Sequence, residues 1–111
     1  MEILLDPENE LYTTSKNISE FLVVLTRAET VKINIIGALE ILSELLTDIT
    51  ILYPNEKTHL IFYELLKKYK PVGLKIHDFE IASISLANGI DKIATENRSD
   101  FKNIEEIKIL N

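Results

Sequence analysis

Two aspartates in the C-terminal half of the chain stand where side chains commonly take part in chemistry. Asp78 precedes the apolar segment 79–87, and Asp100 follows a short β-rich run and a polar turn. In open α/β sheets, ligands bind at the loops that follow the carboxyl ends of strands, which is the position expected for Asp100. Carboxylate oxygens are the ligands that hard divalent cations prefer. The two aspartates are therefore candidates for a site that uses such a cation.

The stretch from Gly73 to Phe101 supplies the elements that must position these two side chains. Its apolar segment predicts a helix, and the run 92–95 is too short for a helix and predicts a strand of a parallel sheet. Asn88-Gly89 predicts the end of the helix, because glycine adopts a left-handed backbone conformation without a Cβ clash. The small and apolar residues expected on one helical face are Ile81, Ala82, Ile84 and Ser85.

A third acidic side chain, Glu20, lies inside an otherwise apolar helix predicted from Lys16 to Thr26. That helix follows a strand predicted at 11–14, and Ser15 is predicted to be its N-cap. An isolated glutamate in such a helix is ordinarily an exposed carboxylate at the rim of a fold. Its helix is nevertheless a separate element from those that carry the two aspartates, and ligands that converge at one sheet edge must come from separate elements. Glu20 can therefore be interpreted either as an exposed rim carboxylate or as a third ligand.

The order and spacing of several short motifs resemble the C-terminal half of PIN domains, and most of all the VapC-type toxin nucleases. These motifs are His77-Asp78, Ala82, Asn88-Gly89-Ile90, Thr95-x-Asn97 and Asp100-Phe101. The segment 20–27, with Glu20, Phe21, Val24, Thr26 and Arg27, is similar to the second acidic motif of that family. The resemblance implies a metal-dependent endoribonuclease that is usually paired with a protein antitoxin.

The same resemblance implies roles for particular residues. Glu20, Asp78 and Asp100 would be the catalytic and metal-binding carboxylates, with Mg²⁺ or Mn²⁺ as the cofactor and RNA as the substrate. Thr95 and Asn97 would support them. A homodimer is also expected, in addition to an antitoxin partner.

The chain has one dense basic stretch, and it leads directly to Asp78. Beside a metal site, such a stretch could hold an RNA phosphate, which makes its members candidate RNA-binding residues. A solvated helix end explains the same charges at least as well, so both interpretations stay open. The stretch comprises Lys67, Lys68, Lys70 and Lys75.

One acidic motif of the family is not matched. The family pattern has a further aspartate at the end of an opening strand, followed by Thr-Asn and a long helical segment. Asp6 follows three apolar residues, but Pro7 stands where the threonine would be, and too few residues separate Asp6 from Glu20 for that helical segment. The interpretation adopted is that 1–5 is the end of that helix in an N-terminally truncated domain, although a short first strand is an alternative.

The missing acidic residue lowers the activity that is expected. A weak ribonuclease is the leading hypothesis, because ligand number and charge determine the affinity for a divalent cation. The alternative is a catalytically inactive, truncated PIN domain that serves as an interaction or dimerisation module.

Length and composition limit the classes to which the protein can belong. The 111 residues, of which 46% are hydrophobic, predict one domain over 1–111. The net charge of −6 argues against a protein that coats nucleic acid, although a carboxylate cluster that binds divalent cations is compatible with it. The chain has no cysteine and no apolar run of the ~20 residues that a membrane span needs, so a cytoplasmic protein is expected.

The remaining segments complete an α/β fold, expected to be PIN-like and three-layered, with a mainly parallel sheet flanked by helices. Strands are predicted at 49–53 and 107–110. A helix capped by Asn34 is predicted to extend to Leu46, with Ile35, Leu39, Leu42 and Leu46 facing the core. A helix over 56–69 is predicted to bury Leu60, Tyr63 and Leu66.

Overall fold

A computed structural model describes residues 2–5, 10–27, 33–95 and 98–110 of the chain. A five-stranded sheet is flanked by helices, which confirms the predicted α/β fold class. In chain order the elements are β1 (Ile3–Leu5), β2 (Leu11–Thr14), α1 (Ser15–Arg27), α2 (Ile35–Leu45), β3 (Ile49–Leu52), α3 (Thr58–Tyr69), α4 (Lys75–Ala87), β4 (Lys92–Ala94), α5 (Arg98–Phe101) and β5 (Lys108–Leu110). None of the helices in these described ranges is long and apolar enough to cross a membrane.

The central strand of the sheet runs against its neighbours. The strand order is β3-β2-β1-β4-β5, with β2 parallel to β3 and β4 parallel to β5. β1 is antiparallel to both β2 and β4, with Leu4 opposite Tyr12 on one side and Ile93 on the other. The other four strands therefore point the same way, as predicted, and the start of β1 lies at the edge where β2 and β4 end.

The prediction that 1–5 forms the end of a helix is wrong. Ile3–Leu5 is a strand, and the Leu4 side chain is fully buried. The physical reason is that β2 and β4 would otherwise present unpaired backbone groups to each other in the middle of the sheet, and β1 pairs with both. Asp6, which was compared with the first aspartate of the family pattern, lies outside the described residues.

The junction between β2 and α1 contains a buried capping arrangement. The strand has the predicted bounds, but the N-cap is Thr14 and not Ser15, which is the first helical residue. The Asn17 backbone N–H donates to Thr14 Oγ1 at 3.1 Å, and the Thr14 backbone N–H donates to Asn17 Oδ1 at 3.3 Å. These reciprocal bonds form a capping box, which satisfies backbone donors that a buried helix start would otherwise leave unpaired.

The helix α2 has the predicted cap but presents a different face to the core. Asn34 Oδ1 accepts a hydrogen bond from the Gly37 backbone N–H at 2.8 Å. Leu42 is buried as predicted, whereas Ile35 and Leu39 are exposed and Ala38 is buried. The helix is turned so that its small residue faces inward, because α2 packs closely against α1.

The face that α3 buries also differs from the prediction. Leu60 and Tyr63 are 64% and 54% exposed, while Leu65 is buried and Phe62 packs against the core. Leu66 is partly buried, as predicted. Together these inward-facing side chains form the apolar stripe that packs on α4. The spacing of apolar residues alone did not identify the buried face of α3, because Leu60 on the exposed face is apolar as well.

The helix α4 is the centre of the hydrophobic core. Every residue from Ile81 to Ser85 is buried, and the chain leaves the helix through Gly89, whose φ is 80°. The Ile90 backbone N–H returns to the Ser85 carbonyl at 3.0 Å, which closes the helix end in the way that was predicted. Because the tight turn leads straight into β4, the start of α4 lies at the edge where β4 ends. The buried core residues are Leu4, Leu52, Leu65, Phe79, Ile81, Ala82, Ile84, Ile90, Ile93, Phe101, Ile104 and Ile107.

Candidate metal centre

Three elements bring acidic side chains to the edge of the sheet at which β2 and β4 end. Glu20 is carried by α1, which follows β2 directly, and Asp100 is carried by α5, which follows β4. Asp78 is in the first turn of α4, which starts at the same edge. The charges of Glu20 and Asp100 both act on Asp78. The structure thus places all three predicted carboxylates at one end of the sheet.

Asp78 has a strongly perturbed carboxyl group. Its pKa is raised from 3.8 to about 6, first by burial and then by the negative charge of Asp100. The ammonium group of Lys75 lowers the pKa, and Glu2 and Glu20 raise it again. Several carboxylates therefore repel one another here, which is the electrostatic condition that a bound cation would relieve.

Glu20 has a carboxylate that the described part of the chain does not fully satisfy. Burial raises its pKa, Lys16 opposes this effect, and the charge of Glu2 adds to it. His77, which precedes Asp78 in α4, also acts on Glu20 and lowers its pKa. Glu20 Oε1 is buried and has no hydrogen-bond partner among the described residues. A buried carboxylate oxygen without a partner is costly, and it is a free ligand atom for a cation.

The carboxylates line two clefts. Glu20 and Asp78 share a cleft of about 450 Å³, in which Val23 and Val24 form an apolar wall. Asp100 lines a smaller cleft of about 220 Å³ together with Lys75. The larger cleft is lined by Lys16, Ser19, Glu20, Val23, Val24, Arg27, Leu74, His77 and Asp78. Acidic groups are therefore next to cationic ones, an arrangement that suits a metal ion and a phosphate side by side.

Glu2 is a neighbour of this site that sequence reasoning missed. Its Oε2 accepts a hydrogen bond of 2.7 Å from the Asn17 side-chain amide, and its carbonyl accepts one of 3.1 Å from Thr13 Oγ1. The only available signal was the pair Thr14 and Asn17, whose capping-box spacing could have shown that Asn17 is buried. Nothing in the sequence indicated that β1 would be reversed and bring its first residues to this edge.

The basic stretch is divided by the structure. Lys75 Nζ lies 3.4 Å from the Ser99 carbonyl oxygen, and its charge acts on Asp78. Lys68 donates to Glu106 Oε2 at 2.9 Å, and Lys67 lies over the Tyr63 ring. The fourth member, Lys70, ends α3 in a left-handed backbone conformation. Of the four predicted lysines, Lys75 is the one whose charge acts on the carboxylates.

The two supporting residues have different outcomes. Thr95 follows β4 directly and is half-buried at the same edge of the sheet. Asn97 lies outside the described residues.

The carboxylate oxygens of Glu20, Asp78 and Asp100 suit a hard divalent cation, but they do not form a complete binding site. Within residues 2–5, 10–27, 33–95 and 98–110, no three His, Asp or Glu side chains are close enough together to hold a metal ion. The mutual repulsion at Asp78 and the buried, unpartnered oxygen of Glu20 are nevertheless what an oxygen-ligand site would show without its cation. Binding would therefore require these side chains to move together.

Comparison with known proteins decides the family. A family model described as PIN domain matches residues 1–107. The chain belongs to the PIN domain family. PIN domains are in general divalent-metal-dependent nucleases. The predicted family is thereby confirmed. The sheet edge that carries Glu20, Asp78 and Asp100 is the candidate site for such chemistry in this PIN domain.

Two solved structures have similar folds. A chain in the structure of VapBC2 from Rickettsia felis, bound to a DNA fragment from their promoter, superimposes with a TM-score of 0.68 at 20% identity, over 90% of this chain and 73% of that one. A chain in the structure of VapBC-1 from nontypeable Haemophilus influenzae gives 0.71 at 22% identity, over 96% and 78%. At these identities the likeness establishes a shared fold. No curated protein matches this PIN domain.

Proposed function

We propose that this PIN domain is a VapC-type endoribonuclease that depends on Mg²⁺ or Mn²⁺, the toxin component of a toxin-antitoxin pair. The observation that carries the proposal is the gathering of Glu20, Asp78 and Asp100 at one sheet edge. Burial raises the pKa of both Glu20 and Asp78, and neighbouring carboxylates raise each further: Glu2 and Glu80 in the case of Glu20, and chiefly Asp100 in the case of Asp78. The VapBC structures that share the fold support the same class of protein.

Each carboxylate has a role that follows from its position. Glu20 and Asp78 would hold the cation from the walls of the shared cleft, and Asp100 would contribute its charge from the neighbouring cleft. When bound, Mg²⁺ or Mn²⁺ would offset the charge of the phosphodiester and lower the pKa of a bound water. Thr95, at the end of β4, and Asn97 would support the carboxylates.

The RNA would be held by cations at the rims of the two clefts. Lys16 and Arg27 lie on the same side of α1 as Glu20, and Lys75 lies beside Asp78. Phosphate groups bound there would be next to the cation, while the apolar wall of Val23 and Val24 would face a base or a ribose. Of the four lysines in the basic stretch, Lys75 is the one that would contact RNA.

Weak activity is part of the proposal. Metal binding would need a rearrangement of side chains, because no ready-made three-ligand group exists among the described residues. The free energy of that rearrangement, including the repulsion between the carboxylates, is subtracted from the binding free energy of the cation. Millimolar rather than micromolar concentrations of Mn²⁺ are therefore expected to be needed for cleavage.

A second candidate function is an interaction module without catalysis. The open carboxylate arrangement favours it, as does a group of large apolar side chains that are exposed on α1 and α2. An antitoxin or a second copy of the chain would cover these side chains. They are Val23, Val24, Ile35, Ile36, Leu39, Ile41 and Leu45.

Cleavage of single-stranded RNA in the presence of Mn²⁺ tests the leading proposal. Asp78→Asn should abolish cleavage, whereas Asp48→Asn should leave it unchanged, because Asp48 precedes β3 at the opposite edge of the sheet. Cleavage that survives Asp78→Asn would disprove the proposed site. A wild-type chain that forms dimers in sedimentation experiments but does not cleave RNA at any Mn²⁺ concentration would favour the second candidate.

A further inference from the structure

We infer that the smaller cleft binds one unpaired base of the RNA, and that Asn103 selects adenine there. The inference rests on the proposed function, since it takes RNA as the substrate. It adds a base-binding site beside the carboxylates, and Asn103 belongs to none of the motifs by which the family was recognised.

The first turn of α4 separates the two clefts. Asp78 lines the larger cleft together with its neighbour His77. Lys75 and Phe79 line the smaller cleft, and residues four apart share one face of a helix. The helix therefore presents a different face to each cleft. An RNA strand that crosses this turn would have a phosphate group beside Asp78 and the base of a neighbouring nucleotide in the smaller cleft.

The smaller cleft has a size and walls that suit a single base. Its volume of about 220 Å³ is below the ~300–1,000 Å³ that is typical of sites for drug-sized ligands. Its apolar walls are formed by the rings of Tyr69 and Phe79, together with Pro71 and Ile104. Proteins bind unpaired RNA bases against aromatic side chains and distinguish them by hydrogen bonds to the base edges. The cleft therefore suits one base rather than a longer stretch of RNA.

The aromatic wall is held in place by the protein itself. The Tyr69 hydroxyl donates to Glu106 Oε1 at 2.6 Å and accepts from the Glu105 backbone N–H at 2.9 Å. The centroid of the Tyr69 ring lies 5.5 Å from that of the buried Phe79 ring. Both hydrogen bonds reach the segment just after Asn103, so they fix that segment against the wall. A cleft that is already ordered loses less conformational entropy when a ligand binds.

Asn103 is the side chain that can distinguish the base. It is exposed and lines the cleft, and none of the hydrogen bonds among the described residues uses its side-chain amide. One amide offers a donor and an acceptor side by side, which match the N7 atom and the N6 amino group of adenine. Asp100 lines the same cleft, and an ionised carboxylate accepts hydrogen bonds without donating any. Both side chains therefore favour a base with an amino group over uracil, which has carbonyl oxygens instead.

Fluorescence anisotropy with two short RNAs tests the inference on the full chain, in EDTA to prevent cleavage. The wild type should bind an oligouridine with one central adenosine about fivefold more tightly than the same RNA without it. Asn103→Ala should remove this difference, and Asn103→Gln should keep part of it, because glutamine presents the same amide. Ser43→Ala is the matched control, since it removes an exposed, neutral polar group from α2, outside both clefts, and should keep the full difference. A general loss of stability would not change the ratio of the two affinities.

Mapping of the cleavage products in Mn²⁺ gives a second measurement. A base held in the smaller cleft determines which phosphate lies beside Asp78, so the wild type should cut the adenosine-containing RNA mainly at one bond. Asn103→Ala should cut it at several bonds. If the wild type binds both RNAs equally, or if Asn103→Ala keeps the difference, the inference is wrong, and the proposed function stands where Asp78→Asn abolishes cleavage. If the wild type neither binds nor cleaves either RNA, the proposed function fails together with the inference.

Discussion

The side-chain amide of Asn17 donates a 2.7 Å hydrogen bond to the carboxylate of Glu2, and this contact joins the first turn of α1 to the residue before β1. Thr14 Oγ1 donates to Asn17 Oδ1 at 2.7 Å on the other side of the same amide. A single buried amide therefore connects the central strand, the end of β2 and the start of α1. Of these three elements, α1 lines the larger cleft of the candidate metal centre.

Replacing Asn17 should destabilise the protein more than replacing an exposed cap. Asn17→Ala removes the capping box and takes away a hydrogen-bond partner from the buried Thr14 and from the half-buried carboxylate of Glu2, which should lower the free energy of unfolding by about 2–3 kcal/mol. Asn34→Ala removes a cap that is exposed and should cost about 1 kcal/mol. Urea unfolding curves of the two variants give the comparison. Equal losses would show that burial adds nothing to the Asn17 network.

Much of the fold was predictable from local signals. The strand 11–14, the Asn34 cap and the helix end at Gly89 each depend on a few neighbouring residues with strong conformational preferences. The reversed β1 was not predictable, because three apolar residues fit a strand or a helix equally well and their direction is decided by pairing with β2 and β4. The buried face of α3 was misjudged for a related reason, since Leu60 is apolar yet points outward.

The candidate site was predictable only where it lies in sequence motifs. Glu20, Asp78 and Asp100 were located by their motifs and by the expected layout of an α/β sheet. Glu2 was missed because its place depends on contacts between parts of the chain fifteen residues apart. The division of the basic stretch was also hidden, because Lys68 finds its partner in Glu106, far along the sequence.

The raised pKa of Asp78 predicts a stability that falls as pH rises. Folded Asp78 keeps its proton up to about pH 6, whereas the group ordinarily loses it near 3.8. Between these values the folded state binds more protons than the unfolded state, so stability decreases from pH 4 to pH 6 and stays lower above that range. Asp78→Asn should therefore stabilise the protein at pH 7 by about 1 kcal/mol, allowing for solvent screening, and should have little effect near pH 4.

Urea unfolding in EDTA at several pH values measures this effect without interference from metal ions. Asp48→Asn is the control, since Asp48 is exposed and lies away from the carboxylates. It should not reproduce the stabilisation that Asp78→Asn is expected to give at pH 7. A destabilised Asp78→Asn variant at pH 7 would mean that the carboxylate is favourably held in the folded protein, contrary to the electrostatic picture of the site.

The four lysines of the basic stretch should contribute unequally to RNA binding. Lys75→Ala should weaken binding of single-stranded RNA and reduce the slope of log affinity against log salt by about 0.7, which is the value for one lost phosphate contact. Lys68→Ala should change neither quantity, because Lys68 is paired with Glu106 and Glu105. Fluorescence anisotropy at several salt concentrations, with EDTA present to prevent cleavage, gives both numbers. Equal weakening by the two substitutions would indicate that the whole stretch contacts RNA.

In the turn that follows α4, the stability cost of replacing Gly89 should depend only on the backbone conformation. Gly89 has a φ of 80°, and a Cβ atom added there would meet no atom within 4 Å. Gly89→Ala should therefore cost about 1–2 kcal/mol, which is the usual penalty for an L-residue in the left-handed region. Gly89→Asn should cost less, because asparagine adopts this conformation more readily. Thermal unfolding of both variants tests the order, and an asparagine variant less stable than the alanine variant would show that side-chain crowding, and not backbone strain, limits this position.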